Sequence, residues 1–263
     1  MQIPTFSPGD DPGPDFAALL RRQGLMPQAP AAPVTSAGPV THGTTVVAIR
    51  YADGVVMAGD RRATSGHLIS HRSIEKVFPA DRWSGVAIAG AAGPAMDMVK
   101  LFQLQLEHYE KVEGWPLSLE GKANQLSGMV RNHLPAAMQG LAVVPLFAGF
   151  DTRRNVGRLF QYDITGGRYE ENDYATSGSG GLHAATVVKL GFRDGLTRQD
   201  CMDLALQALV TAADEDSATG GPDLRRNIWP VVATIDSEGF TRVPDAELAE
   251  AYQRLLDAGG SDR

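Results

Sequence analysis

Eight of the 16 prolines lie in the first 43 residues: Pro4, Pro8, Pro12, Pro14, Pro27, Pro30, Pro33 and Pro39. Proline is excluded from helix interiors and removes a donor from any sheet ladder, so a packed core cannot begin here. At Thr44 the chain changes character. Thr45-Val46-Val47-Ala48-Ile49 is β-branched and apolar, the composition of a buried strand. Two parts are therefore expected, 1–43 and 44–263. Within the first, only Asp15 to Leu25 carries a helical pattern, with Phe16, Leu19, Leu20 and Leu25 apolar. Composition leaves two readings of this part: a tail without fixed structure, or a pro-segment that is cut off.

After Thr44 the pattern alternates between strands and helix pairs. Asp53-Gly54 is a hairpin signal, followed by the strand Gly54 to Gly59. Ile69 to Phe78 and Gly85 to Gly90 read as further strands. Met96, Val99, Leu101, Phe102, Leu104 and Leu106 then fall at helical spacings, and Ser118 to Met138 reads as a second helix capped by Ser118. Strands resume at 142–150, 158–164 and 169–177. Helices follow at 182–190 and 197–213, then strands at 230–235 and 240–243, and a closing helix at 247–256. Short turns between strands imply antiparallel pairing, and helices arriving in pairs argue against a doubly wound sheet. The expected fold is α+β: two antiparallel sheets face to face, with a helix pair on each outer face.

Charge and motif content exclude several function classes. Lys and Arg number 24 against 31 Asp and Glu, for a net charge of -7. An acidic chain without a basic run is a poor nucleic-acid binder. No apolar stretch reaches membrane-spanning length, and no basic segment precedes an apolar run at the start, so a soluble cytoplasmic protein is expected. The single cysteine, Cys201, excludes an internal disulfide. There is no HExxH or CxxC, and the six histidines have no ligand spacing, so no metal site is marked.

Gly43-Thr44-Thr45 sits on the composition boundary. Read alone, it is a loop entering a strand. Were the chain cut between Gly43 and Thr44, however, Thr44 would carry a hydroxyl and a free α-amine. A terminal amine has a pKa of about 8, so its neutral form can take the proton of its own hydroxyl, and no histidine is needed. Gly43, without a Cβ, permits the tight turn that brings this hydroxyl to its own preceding carbonyl.

Further segments extend this pattern. Gly54-Val55-Val56-Met57-Ala58-Gly59-Asp60-Arg61-Arg62-Ala63-Thr64 and Ser73-Ile74-Glu75-Lys76-Val77 follow Thr44. Gly178-Ser179-Gly180 and Asp214-Glu215-Asp216-Ser217-Ala218-Thr219-Gly220-Gly221 lie far downstream. In this order, from Thr44 to about Val243, they resemble the β subunit of the 20S proteasome, most closely the actinobacterial type. The resemblance implies a four-layer αββα sandwich and an N-terminal nucleophile hydrolase, with 1–43 as a propeptide removed by self-cleavage at Gly43-Thr44. It implies Thr44 as nucleophile, Lys76 as the ammonium beside its hydroxyl and Asp60 as the carboxylate that holds the lysine. Ser179, Asp214 and Ser217 match the residues that hydrogen-bond the threonine amine and hydroxyl. Gly90 matches the glycine whose backbone N–H stabilises the oxyanion. Thr64 matches the residue whose backbone lines the bound peptide. Ala63, Ile74, Phe78, Ile88, Ala92 and Met96 fall where the family places the pocket for the residue before the cut; all are apolar, which implies cleavage after hydrophobic residues.

The same resemblance implies proteasome α subunits as partners, with homo-heptameric β rings in an α7β7β7α7 barrel. It also implies a ring-shaped ATPase, substrates carrying a small ubiquitin-like protein tag, and no metal or organic cofactor, while charge and hydropathy leave neither nucleic acid nor membrane as an expected partner. Two rivals stand beside it. The related bacterial ATP-dependent peptidase of paired six-membered rings shares the Thr-Thr start but has a shorter chain and almost no propeptide. A non-catalytic ring subunit would lose the Gly-Thr pair or the lysine, and this sequence keeps Gly43, Thr44, Asp60 and Lys76 together.

Overall fold

A computed structural model describes residues 13–22, 43–65 and 68–260. Residues 1–12 and 23–42, including Leu25 at the end of the expected first helix, lie outside the described residues. The elements in chain order are α1 (Phe16–Arg22), β1 (Thr45–Tyr51), β2 (Gly54–Gly59), β3 (Ala63–Ser65), β4 (Leu68–His71), β5 (Val77–Asp81), β6 (Ser84–Gly90), α2 (Ala92–Glu113), α3 (Leu119–Asn132), α4 (Leu134–Ala137), β7 (Val143–Asp151), β8 (Val156–Tyr162), β9 (Arg168–Glu171), β10 (Tyr174–Gly178), α5 (Gly181–Gly191), α6 (Arg198–Glu215), β11 (Val231–Asp236), β12 (Gly239–Arg242) and α7 (Asp245–Gly260).

The strands form two five-stranded antiparallel sheets, ordered β10-β1-β2-β11-β12 and β5-β6-β7-β8-β9, with β3 and β4 as a separate ribbon. Successive side chains of a strand point to opposite faces, and here both faces are covered. Val46, Ala48, Met57, Ala87, Leu146 and Leu159 meet between the sheets. Val47, Ile49, Val56 and Ala58 face α5, α6 and α7 on one outer side. Val86, Ile88, Phe147 and Phe160 face α2 and α3 on the other. This double covering explains why the central strands are continuous apolar runs and not alternating ones. The result is the four-layer αββα sandwich of the N-terminal nucleophile hydrolases, as expected.

Helix ends follow local chemistry. The Ser118 hydroxyl accepts the Gly121 N–H at 3.1 Å to start α3, and Thr197 and Asp200 form a reciprocal capping box at α6. The sequence reading ran several elements together. The helix expected over 118–138 ends at Asn132, because Pro135 lacks the N–H and crowds the carbonyl four residues back. The strand expected over 69–78 is β4 and β5, parted at 72–76 where the chain passes from the ribbon to a sheet. The strand expected over 169–177 is β9 and β10, which edge different sheets.

Part of the proline-rich segment is built onto the sandwich. Leu19 and Leu20 of α1 are buried against Leu101 and Leu104 of α2, and a ring nitrogen of His108 lies 2.7 Å from the Gly13 carbonyl oxygen. Among the described residues, no helix is long and apolar enough to cross a membrane.

Candidate active site

Thr44 immediately precedes β1, a central strand flanked by β10 and β2, and it is buried. Its surroundings come from the ends of several elements. Asp60 follows β2, Lys76 precedes β5, Gly90 ends β6, Ser179 follows β10, and residues 216–221 follow α6. Two glycines let the backbones converge. Gly178 pairs with Thr45 at a φ of 97°, and a Cβ there would lie 2.0 Å from the Thr44 carbonyl oxygen. Gly90 has a φ of 115°, and a Cβ there would lie 2.1 Å from the Ala142 oxygen. L-residues rarely adopt this backbone region.

Asp60 is fully buried and accepts four hydrogen bonds. Its Oδ1 takes the Thr45 N–H at 2.9 Å and the Lys76 ammonium at 2.6 Å. Its Oδ2 takes the N–H groups of Arg62 and Gly220, each at 2.9 Å. Lys76 uses its three donors on Asp60, on the Arg62 carbonyl at 2.7 Å and on the Gly43 carbonyl at 3.3 Å. Burial holds the Lys76 ammonium below the usual lysine pKa, with Asp60 pulling the other way.

The Thr44 hydroxyl donates to the Gly43 carbonyl oxygen at 2.7 Å. The Thr44 N–H donates to Ser179 Oγ at 3.2 Å, and Ser179 Oγ donates to Asp216 Oδ2 at 2.5 Å. Thr219 donates to the same oxygen at 2.6 Å. Since the Thr219 proton is committed there, the 2.6 Å contact between Thr45 Oγ1 and Thr219 Oγ1 has Thr45 as donor. Two hydroxyl chains thus converge on Asp216. Partial burial works against its ionisation, but hydrogen bonds from Ser179, Thr219 and the Ala218 N–H outweigh that and lower its pKa.

The structure therefore brings together Thr44, Asp60, Lys76 and Ser179, but it gives the carboxylate position to Asp216 and the hydroxyl position to Thr219, not to Asp214 and Ser217. Asp214 is exposed in the last turn of α6, two residues from Ala212, which faces the core. A two-residue step turns a helix side chain by about 200°. The helix then stops, and the extended backbone of Asp216 swings its carboxylate back to the site. Ser217 is exposed and contributes only its carbonyl, which accepts Arg62 Nη1 at 2.9 Å. Arg62, which the sequence pattern does not single out, joins the pair: its carbonyl accepts from Lys76 and its N–H donates to Asp60. The signal available was the Gly220-Gly221 pair directly after Thr219.

A small apolar cavity opens beside Gly43 and Thr44, lined by Ala63, Ile74, Ile88, Ala92, Ala95 and Met96, with Gly90 and Lys76. Ala95 was not expected there. Phe78 was, but it is buried in the core beneath α2: its neighbour Val77 faces the space between the sheets, so Phe78 must face the helices. Thr64 meets the chain through its side chain, Oγ1 accepting the Gly43 N–H at 3.4 Å.

A sandwich of this layering is the fold of the N-terminal nucleophile hydrolases. The model of the family described as "Proteasome subunit" matches residues 40–223. The chain is 59% identical over 258 residues to a proteasome subunit beta of Acidimicrobium ferrooxidans, covering 98% of this chain and 94% of that protein. It is 52% identical over 252 residues to a proteasome subunit beta of Streptomyces griseus, covering 96% and 90%. The chain belongs to the proteasome subunit family. It is a catalytic β-type subunit of the 20S core, a threonine protease.

Proposed function

We propose that residues 1–43 are a propeptide removed by self-cleavage at Gly43-Thr44, and that Thr44 is then the nucleophile of the peptidase. The observation that carries this reading is the 2.7 Å contact between the Thr44 hydroxyl and the Gly43 carbonyl, with the Lys76 ammonium on the same oxygen. In the self-cleavage, Thr44 Oγ1 adds to the Gly43 carbonyl carbon and the C–N bond to Thr44 breaks. The Thr44 nitrogen takes up the proton, leaving an ester between Gly43 and Oγ1. Water hydrolyses the ester, so the propeptide departs with a carboxylate and Thr44 gains a free amine.

That amine, with an ordinary pKa of about 8, takes the hydroxyl proton when a peptide carbonyl is attacked. Ser179 keeps its oxygen toward the amine because its own proton is directed to Asp216. Lys76, held by Asp60, favours the developing alkoxide. The Gly90 N–H stabilises the oxyanion, a contribution of about 3 kcal/mol for one donor. The apolar lining of Ala63, Ile74, Ile88, Ala92, Ala95 and Met96 supports cleavage after hydrophobic residues, and bound peptide adds as a strand beside Thr64. The subunit acts in sevenfold β rings between α rings in the cytoplasm, fed by a ring ATPase with tagged proteins.

The test is co-expression with the α partner, followed by intact mass, N-terminal sequencing and electron microscopy of the particle. The expected β subunit begins at Thr44 within a sevenfold ring, whereas Thr44→Ala keeps all 43 preceding residues and has no peptidase activity. An assembled native particle still beginning at Met1, or an active Thr44→Ala particle, would overturn the reading.

A further inference from the structure

The site contains a contact that the proposed chemistry does not use. A Cβ placed on Gly43 would lie 1.7 Å from Ala218 Cβ, 2.7 Å from Ala218 Cα and 2.9 Å from Ala218 C. The obstruction is a Cβ and main chain, so no side-chain rotation relieves it. Nor is either partner free to shift. The Ala218 N–H is bound to Asp216 Oδ1 at 3.1 Å. The residues around it are pinned as well: the Ser217 carbonyl to Arg62, the Thr219 N–H and hydroxyl to Asp216, and the Gly220 N–H to Asp60. On the other side, Gly43 is held at its N–H by Thr64 and at its carbonyl by Thr44 and Lys76.

We infer that Ala218 is a specificity-determining residue for the self-cleavage, a wall that admits only glycine before the cut in cis. This rests on the self-cleavage reading above and adds an asymmetry to it. In cis, Gly43 is bonded to the Thr44 nitrogen, and that bond turns its side-chain direction toward Ala218. A peptide bound in trans lacks the bond. It can therefore present its carbonyl to Thr44 with its side chain in the apolar cavity formed by Ala63, Ile88, Ala95 and Met96. One nucleophile thus works under two different rules for the residue before the cut: glycine for its own chain, a larger apolar residue for others.

The experiment compares native, Gly43→Ala, Ala218→Gly and the double variant, each co-expressed with the α partner, with the processed fraction followed by intact mass over time. Gly43→Ala is expected to process at least about tenfold more slowly than native, in line with the cost of displacing a reacting group by an ångström. Adding Ala218→Gly removes the closest contact and is expected to restore at least about threefold of that loss, a coupling of the size found for residues in contact. Should Gly43→Ala prevent assembly, the same contact is read as recovery of assembled, processed particle in the double variant. Native-rate processing of Gly43→Ala, or a double variant no faster than Gly43→Ala, would overturn the role of Ala218. A native chain that never processes would instead sink the self-cleavage reading on which it rests.

Discussion

Asp216 gathers the Ser179 and Thr219 hydroxyls and the Ala218 N–H, so its loss leaves several partners unmet at once. Asp216→Ala is expected to cost roughly 1–3 kcal/mol, the penalty for stranding the buried Thr219 hydroxyl, whereas exposed Asp214→Ala should stay within about 0.5 kcal/mol. Urea midpoints of the two variants check this. The native-state pKa of Asp216 lies below its ordinary 3.8, so its contribution is fully present above that value and fades as pH falls through the lowered one. The gap between native and Asp216→Ala should therefore hold near neutral pH and close below about pH 4; a gap that widens in acid would contradict the assignment. Asp214/Ser217 and Asp216/Thr219 share one spacing, and only the point where α6 ends separates them. A residue pattern does not fix that point. Thr44, by contrast, sits on a boundary marked by composition, and the resemblance supplied Asp60 and Lys76 through their motifs, although 69–78 reads as one strand across Lys76.

Gly178 ties the end of β10 to the start of β1. Gly178→Ala would force an L-residue to a φ of 97° and push a methyl against the Thr44 carbonyl. Expected are a stability loss of about 1–3 kcal/mol and processing slowed by roughly a hundredfold, because Thr44 itself is displaced. Thermal unfolding and a time course of intact mass would show it; native-rate processing would mean that Thr44 does not depend on this strand end. The strands themselves were readable from apolar runs, but their partners were not. Arg168 to Gly178 is extended almost throughout, and nothing in its period marks Asn172-Asp173 as the crossing from one sheet to the other. Likewise Lys76 reaches Asp60 only because 72–76 leaves the extended path.

At the scale of the molecule, three apolar layers hold the four structural ones together. The order of elements predicted this arrangement, because strands joined by short turns pair antiparallel and helices arriving in pairs cover the outer faces. What no pattern indicated is the seat of α1 on α2. Its hold is small: two leucines, at about 1.5–3 kcal/mol each before the cost of ordering the segment. Even about 4 kcal/mol left after that cost would give a dissociation constant near 1 mM, no tighter than the effective concentration that a covalent tether supplies. While Gly43 is joined to Thr44, the helix is therefore seated about half of the time; on the proposed cleavage it becomes a dilute peptide of millimolar or weaker affinity. Native mass spectrometry of processed particles at micromolar concentration should find no retained 1–43, and stoichiometric retention would show a stronger seat than two leucines provide. Scission of one bond between the sheets thus acts at a distance. On this proposal it bares Leu101 and Leu104 on the subunit's outer helix layer, so the α2 surface records whether the nucleophile has been freed.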